Sequence, residues 1–194
     1  MNKKCLIING SPKAHGNTSF LIDEFKKHYK HNIDVVDAFP MGKKPGISSC
    51  IDCGGCTRVK GCVIKDSFQK IVSDDHDLVL IVSPIYMSNL PGPMINVVNR
   101  FNFMFNNRNS LNLNTSFKEK NAALILVGGG GACKMLQGET NEDLAIKQSK
   151  YIFGKINAKL EDEDIILCLN TDEVKVDNNS LVIDAIKKLA IKFN

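Results

Sequence analysis

No apolar run in this sequence approaches the ~20 residues needed to span a bilayer. The opening run, Cys5-Leu6-Ile7-Ile8, ends at Asn9-Gly10; it is too short for a signal-peptide core, and no small-residue cleavage site follows it. The expectation is a cytoplasmic protein that does not engage a membrane and whose thiols stay reduced and free to ligate metal. A stripe of one charge sign is also missing. Net charge is only +4, with Lys scattered among Glu and Asp, which argues against nucleic acid as a partner. Repeats and low-complexity segments are absent, as are a Walker A loop and a G-x-G-x-x-G fingerprint. Any phosphate site must therefore be built by other means.

What the chain does have is clustered cysteine. Four of seven cysteines, Cys50, Cys53, Cys56 and Cys62, fall within thirteen residues at the spacing C-x2-C-x2-C-x5-C, whereas Cys5, Cys133 and Cys168 stand alone. Four thiolates on short glycine-containing turns suit a cubane iron–sulfur cluster or a structural zinc. Zinc sites usually separate two C-x2-C knuckles by a dozen or more residues, while three cysteines in consecutive x2 steps resemble bacterial cluster loops. Gly54 and Gly55 let the chain wrap closely there. A [4Fe–4S] cluster is the leading assignment, with free or redox-active thiols, zinc and a disulfide pair as alternatives. Cys5 and Cys168 read as inert core thiols, and Cys133, just past a glycine run, is left unassigned.

Strand and helix patterns alternate along the chain. Continuous apolar runs at Cys5–Ile8, Leu78–Val82 and Ala122–Val127 predict strands buried on both faces, joined by Ile33–Ala38 and Ile165–Leu169. Helical stripes are expected over Phe20–Tyr29, over a short segment after Asp66, and from Pro93 with Met94, Val97, Val98, Phe101 and Phe105 inward. A long helix carrying Leu144, Ile152, Phe153, Ile156 and Leu160 follows, and a last one from Ser180 with Leu181, Ala185, Ile186 and Leu189 inward. The polar stretch 106–120 reads as a surface loop. Five strands alternating with five helices predict a three-layer, doubly wound α/β fold on a five-stranded parallel sheet, one domain over 1–194 with a cysteine-rich insertion at about 45–63. Ligands of such sheets lie beyond the carboxyl ends of the strands.

Three loops at that edge carry the relevant chemistry. After the first strand, Gly10-Ser11-Pro12-Lys13-Ala14-His15-Gly16-Asn17-Thr18-Ser19 leads into a helix, whose unpaired first-turn N–H groups favour a phosphate. Lys13 or His15 adds charge. After the third strand, Ser83-Pro84-Ile85-Tyr86-Met87-Ser88-Asn89-Leu90-Pro91 forms a stiff loop able to lay backbone amides along a planar ring flanked by Tyr86. After the fourth, Gly128-Gly129-Gly130-Gly131 allows close backbone approach. His28 and His31 read as surface residues and His76 as part of a turn.

In these loops the chain resembles the flavodoxin-like flavoproteins of the NADPH-dependent FMN reductase family. Gly10–Lys13 with Gly16-Asn17-Thr18 matches that family's phosphate signature, Ser83–Tyr86 its second flavin loop, and the Gly128 run its third. With the four cysteines added, the chain is similar to the iron–sulfur flavoprotein branch. The resemblance implies FMN, its phosphate held by Ser11, Asn17, Thr18 and Ser19, with Lys13 nearby, and its ring edge met by Pro84, Ile85, Tyr86, Asn89, Gly129 and Gly130. It also implies a [4Fe–4S] cluster on Cys50, Cys53, Cys56 and Cys62, and a homodimer or homotetramer. Met87-Ser88-Asn89, Asn96 and Asn99 depart from the family pattern, which bears on substrate and subunit contacts.

The expected activity is electron transfer by an FMN-dependent oxidoreductase, with NAD(P)H, a quinone or ferredoxin as redox partner. A cluster-free NAD(P)H-dependent flavin or quinone reductase is the alternative enzyme, and a flavin-binding sensor without turnover is the non-enzymatic one.

Overall fold

The computed structural model describes residues 3–131 and 139–194; Cys133 lies outside them. Five strands, β1 Lys4–Asn9, β2 Asn32–Asp37, β3 Leu78–Pro84, β4 Lys120–Val127 and β5 Ala158–Cys168, form one sheet in the order β2-β1-β3-β4-β5, every pair parallel. The helices are α1 Asn17–His28, α2 Phe68–Ile71, α3 Gly92–Arg100, α4 Asn102–Leu111, α5 Asn141–Lys155 and α6 Ser180–Lys192. Among the described residues no helix is long and apolar enough to cross a membrane.

The two-residue period of the strands divides the core in two. Leu6, Ile8, Val79, Ile81 and Leu124 face Phe68, Met94, Val97, Phe101, Ile152 and Phe153 on one side. Cys5, Ile7, Leu78, Leu80, Ala123 and Ile125 face Leu21, Phe25, Ile186 and Leu189 on the other. With both faces covered, β3 is buried at all seven positions, which is why its first five residues, Leu78–Val82, are an unbroken apolar run. The segments that follow β1 and β3 leave toward opposite faces, to α1 on one and α3 on the other, so they part beyond the strand ends and open a crevice. Gly10 sits at that fork: its N–H donates to the Val82 carbonyl at 2.9 Å, and a Cβ there would run into the Ser83 side chain, 2.7 Å from its Cβ.

Several boundaries differ from the sequence expectations. The stretch 106–120 is not all loop, because α4 continues to Leu111 with Phe103 and Asn107 buried. Phe105, expected to face inward, is exposed. Leu160 belongs to β5, paired with Ala122, and not to α5, which ends at Lys155. Between the pairs Ala122–Leu160 and Leu124–Ile165, β5 advances five residues against two on β4, so the acidic segment 161–164 bulges from the sheet edge. Leu181 points to solvent, and Val182 takes the inward position. The Asn179 side chain fixes that register by accepting the Val182 N–H at 3.2 Å.

Candidate functional site

The turn after β1 is shaped by side chains that replace missing backbone bonds. Asn9 Oδ1 accepts the Ser11 N–H at 3.0 Å, and Ser11 Oγ accepts the Lys13 N–H at 3.1 Å. Ser19 Oγ accepts the Gly16 N–H at 2.8 Å and donates to the Gly16 carbonyl at 2.9 Å, which closes the N-terminus of α1. No acidic side chain stands in that first turn. The unpaired N–H groups and the positive end of the helix dipole therefore point outward with no carboxylate in their own turn.

The loop after β3 is held to its neighbour by the Ile85 N–H, which donates to the Val127 carbonyl at 2.8 Å. It then folds back in a tight turn: Tyr86 and Asn89 exchange backbone hydrogen bonds at 2.9 and 3.0 Å, with Met87 and Ser88 both in the left-handed region (φ 48° and 67°). For two L-residues this costs local strain, and side chains on α5 hold the turn in place. Ser88 Oγ donates to Asn141 Oδ1 at 2.7 Å, Gln148 Nε2 donates to Asn89 Oδ1 at 2.9 Å, and Gln148 Oε1 accepts the Leu90 N–H at 2.8 Å.

The glycine run after β4 is stitched to the segment after β5. The Thr171 and Asp172 N–H groups donate to the Gly128 and Gly129 carbonyls, each at 3.1 Å. A Cβ at Gly129 would stand 2.5 Å from Asp172 Oδ2, so any larger residue there would push the Asp172 carboxylate aside.

These loops enclose a crevice of about 300 Å³ lined by Ser11, Lys13, His15, Asn17, Thr18, Pro84, Ile85, Tyr86, Gly129, Thr171 and Asp172. An adjoining recess of about 290 Å³ shares Ile85 and Gly129 and adds Gly130. Ser19 and Asn89 stand outside both linings; their polar groups are engaged in holding the helix cap and the β3 turn. Thr171 and Asp172 also line this crevice, which the sequence reading did not anticipate. The signal was Asn170-Thr171-Asp172 at the end of the fifth strand, with Asn170 in the left-handed region (φ 60°).

The cysteine loop follows β2 at the same edge of the sheet. Asp52 (φ 50°), Gly54 (φ 66°) and Gly61 (φ 86°) take left-handed conformations around a 3₁₀ turn at Gly55–Thr57. The loop is clamped from α3 and α4. Arg100, buried at 1% exposure, donates from Nη1 to Asp66 Oδ2 at 2.7 Å and to the Ser48 carbonyl at 3.1 Å, from Nη2 to the Ile64 carbonyl at 3.0 Å, and from Nε to Cys62 Sγ at 3.2 Å. Asn106 Nδ2 donates to Cys56 Sγ at 3.2 Å. Asn107 donates to the Cys56 and Val59 carbonyls at 2.6 and 3.0 Å and accepts the Gly61 N–H at 2.8 Å. The Asp66 carboxyl is pulled up by burial but held below its usual range by Arg100 and by the amides of Ser48 and Phe68.

N–H donors aimed at sulfur favour anionic thiolate or cluster-bound sulfur, so the loop fits an electron-rich group. Among the described residues, the group of three or more potential ligands within 4.8 Å of one another is Asp34, Asp75 and His76, at the opposite, amino-terminal edge of the sheet. There Lys4 Nζ lies 3.0 Å from Asp34 and 2.6 Å from Asp75, so the chain's own ammonium fills the cation position. His76 is in the expected turn, buried beside the two carboxylates. Burial raises the Cys5 and Cys168 thiols, in keeping with inert core positions.

A family model described as NADPH-dependent FMN reductase matches residues 3–152. An iron-sulfur flavoprotein of Archaeoglobus fulgidus is 25% identical over 169 residues, which is 84% of this chain and 74% of that protein. The fold is similar to an azoreductase from Bacillus anthracis at TM-score 0.64 and 15% identity, covering 98% of both chains. It is also similar to an FMN-dependent NADH-azoreductase from the same species, solved in complex with FMN, at TM-score 0.62 and 13% identity, covering 98% of this chain and 99% of that one. The structural likenesses show a shared flavodoxin-like fold.

Proposed function

This chain belongs to the NADPH-dependent FMN reductase family and is a flavin oxidoreductase; from that premise we propose that it carries FMN in the crevice after β1, β3 and β4 and a [4Fe–4S] cluster on Cys50, Cys53, Cys56 and Cys62, and transfers electrons between them. The observation that supports this most is the convergence of a carboxylate-free helix N-terminus with two backbone-rich loops on one crevice.

In this proposal the first-turn N–H groups of α1, with Ser11, Asn17, Thr18 and Lys13, hold the phosphate. Ser19 contributes through the cap it closes. Pro84, Ile85 and Tyr86 lie along one edge of the ring, and Gly129 and Gly130 bring backbone close to another. Asn89 supports the β3 turn from behind. Bound FMN supplies hydride acceptance and single-electron exchange, and the protein's share is binding, orientation and electrostatics. The donor is NAD(P)H or ferredoxin, the acceptor a quinone or a protein, and the assembly a homodimer or homotetramer.

Titrating the apoprotein with FMN while following flavin fluorescence tests the crevice. Saturable quenching at one FMN per chain is the expected result, and absence of binding would overturn the proposal.

A further inference from the structure

Two of the four cysteine sulfurs receive side-chain N–H donors from the body of the domain: Cys62 from Arg100 on α3, and Cys56 from Asn106 on α4, each at 3.2 Å. Arg100 is not free to swing, and the backbone that carries Asn106 is fixed. The other guanidinium nitrogens of Arg100 are committed to Asp66, Ser48 and Ile64, and its Cζ lies 4.7 Å from the Phe68 ring centre. Nε is thereby left aimed at the sulfur. Asn106 is held at the penultimate turn of a helix whose next residue, Asn107, is fastened to the same loop by three hydrogen bonds. Cys53 is exposed, and Cys50 lines an open groove of about 770 Å³.

Hydrogen bonds to cluster sulfur stabilise the more negative, reduced state and so raise the reduction potential. Because Asp66 neutralises Arg100, the effect on the sulfurs comes mainly from directed N–H dipoles and not from a net positive charge. From this we infer that Arg100 and Asn106 are positioning residues that raise the potential of the cluster, drawing the added charge toward Cys56 and Cys62 on its protein side. The couple concerned takes up one electron, with no bond made or broken, from dithionite in the experiment. The inference rests on the four cysteines holding a [4Fe–4S] cluster.

Asn106 offers the cleaner test, because replacing Arg100 also releases Ser48, Ile64 and Asp66. Asn106→Leu and Asn106→Met each remove the donor at similar size without adding charge. The cluster potential is read by electron paramagnetic resonance during an anaerobic dithionite titration, with iron and FMN content measured on the same samples. Both variants are expected to keep their iron and FMN and to shift the one-electron equilibrium about tenfold toward the oxidised cluster, which is 59 mV. An unmoved potential at full iron content would overturn the inference while leaving the cluster assignment intact. Loss of iron from both variants would assign Asn106 to cluster retention and overturn it as well. Wild-type protein that holds no iron after reconstitution would overturn the cluster assignment and this inference together.

Discussion

Asn9 Oδ1 accepts the backbone N–H of Ser11 at 3.0 Å while Asn9 Nδ2 donates to Asp37 Oδ1 at 2.9 Å, so one buried amide ties the turn after β1 to the end of β2. The turn is thus set before any ligand arrives. Asn9→Ala strands the Ser11 N–H and frees the turn, at a cost of about 1–3 kcal/mol. The expected outcome is a lower thermal midpoint together with FMN affinity weakened about tenfold, checked by calorimetry and fluorescence titration.

With FMN in the crevice as proposed, the N-terminus of α1 should make the phosphate the main source of selectivity at this end. Charge-assisted hydrogen bonds contribute about 1.5–3 kcal/mol each. Riboflavin, which lacks the phosphate, should therefore bind about 10–100-fold more weakly than FMN, and Thr18→Ala should narrow that gap. Equal affinities for the two flavins would place the phosphate elsewhere.

Gly10→Ala tests the fork between β1 and β3. The new methyl would overlap the Ser83 side chain and press on Met94, 3.1 Å away, in a fully packed layer. Overpacking of this kind costs about 1–3 kcal/mol, and for a chain of this size about 2 kcal/mol lowers the thermal midpoint by about 4–8 °C. Differential scanning calorimetry reads it directly.

Much of the fold was legible because the sheet is covered on both faces. Cys5–Ile8, Leu78–Val82 and Ala122–Val127 had no polar face to disguise them, and the turns that follow carry unmistakable glycine and hydroxyl chemistry. The edges were less legible. In β5 the bulged acidic segment 161–164 interrupts the strand pattern, so Leu160 fell into helical spacing with Ile156. In α4 the asparagines that suggest a loop are partly consumed by the cysteine loop: Asn107 is fully buried because its amide satisfies Cys56, Val59 and Gly61. That is a tertiary requirement with no local signature. Arg100 escaped notice for the same reason, since a buried guanidinium is visible only once its partners surround it.

Asp66 gives the cysteine loop a pH dependence of known sign. Its carboxyl titrates lower in the folded chain than in the unfolded one, so its stabilising effect is complete above the ordinary carboxylate value of ~3.9. The effect fades as pH falls through that value toward the folded one. Asp66→Asn leaves the Arg100 guanidinium buried without its charge partner, a loss of about 3–5 kcal/mol at neutral pH. Urea midpoints measured from pH 7 to pH 3 should start lower in the variant and fall less steeply than in wild type.

The most direct measurement is the visible spectrum with iron and flavin content of protein purified without oxygen, taken alongside Cys50→Ser. Wild type is expected to show flavin bands over a broad shoulder near ~400 nm, with one FMN and close to four irons per chain, and the variant to lose iron while keeping FMN. Flavin without iron, even after anaerobic reconstitution, would contradict the cluster and leave a simple flavin reductase with four free thiols. Absence of both chromophores would contradict the crevice itself.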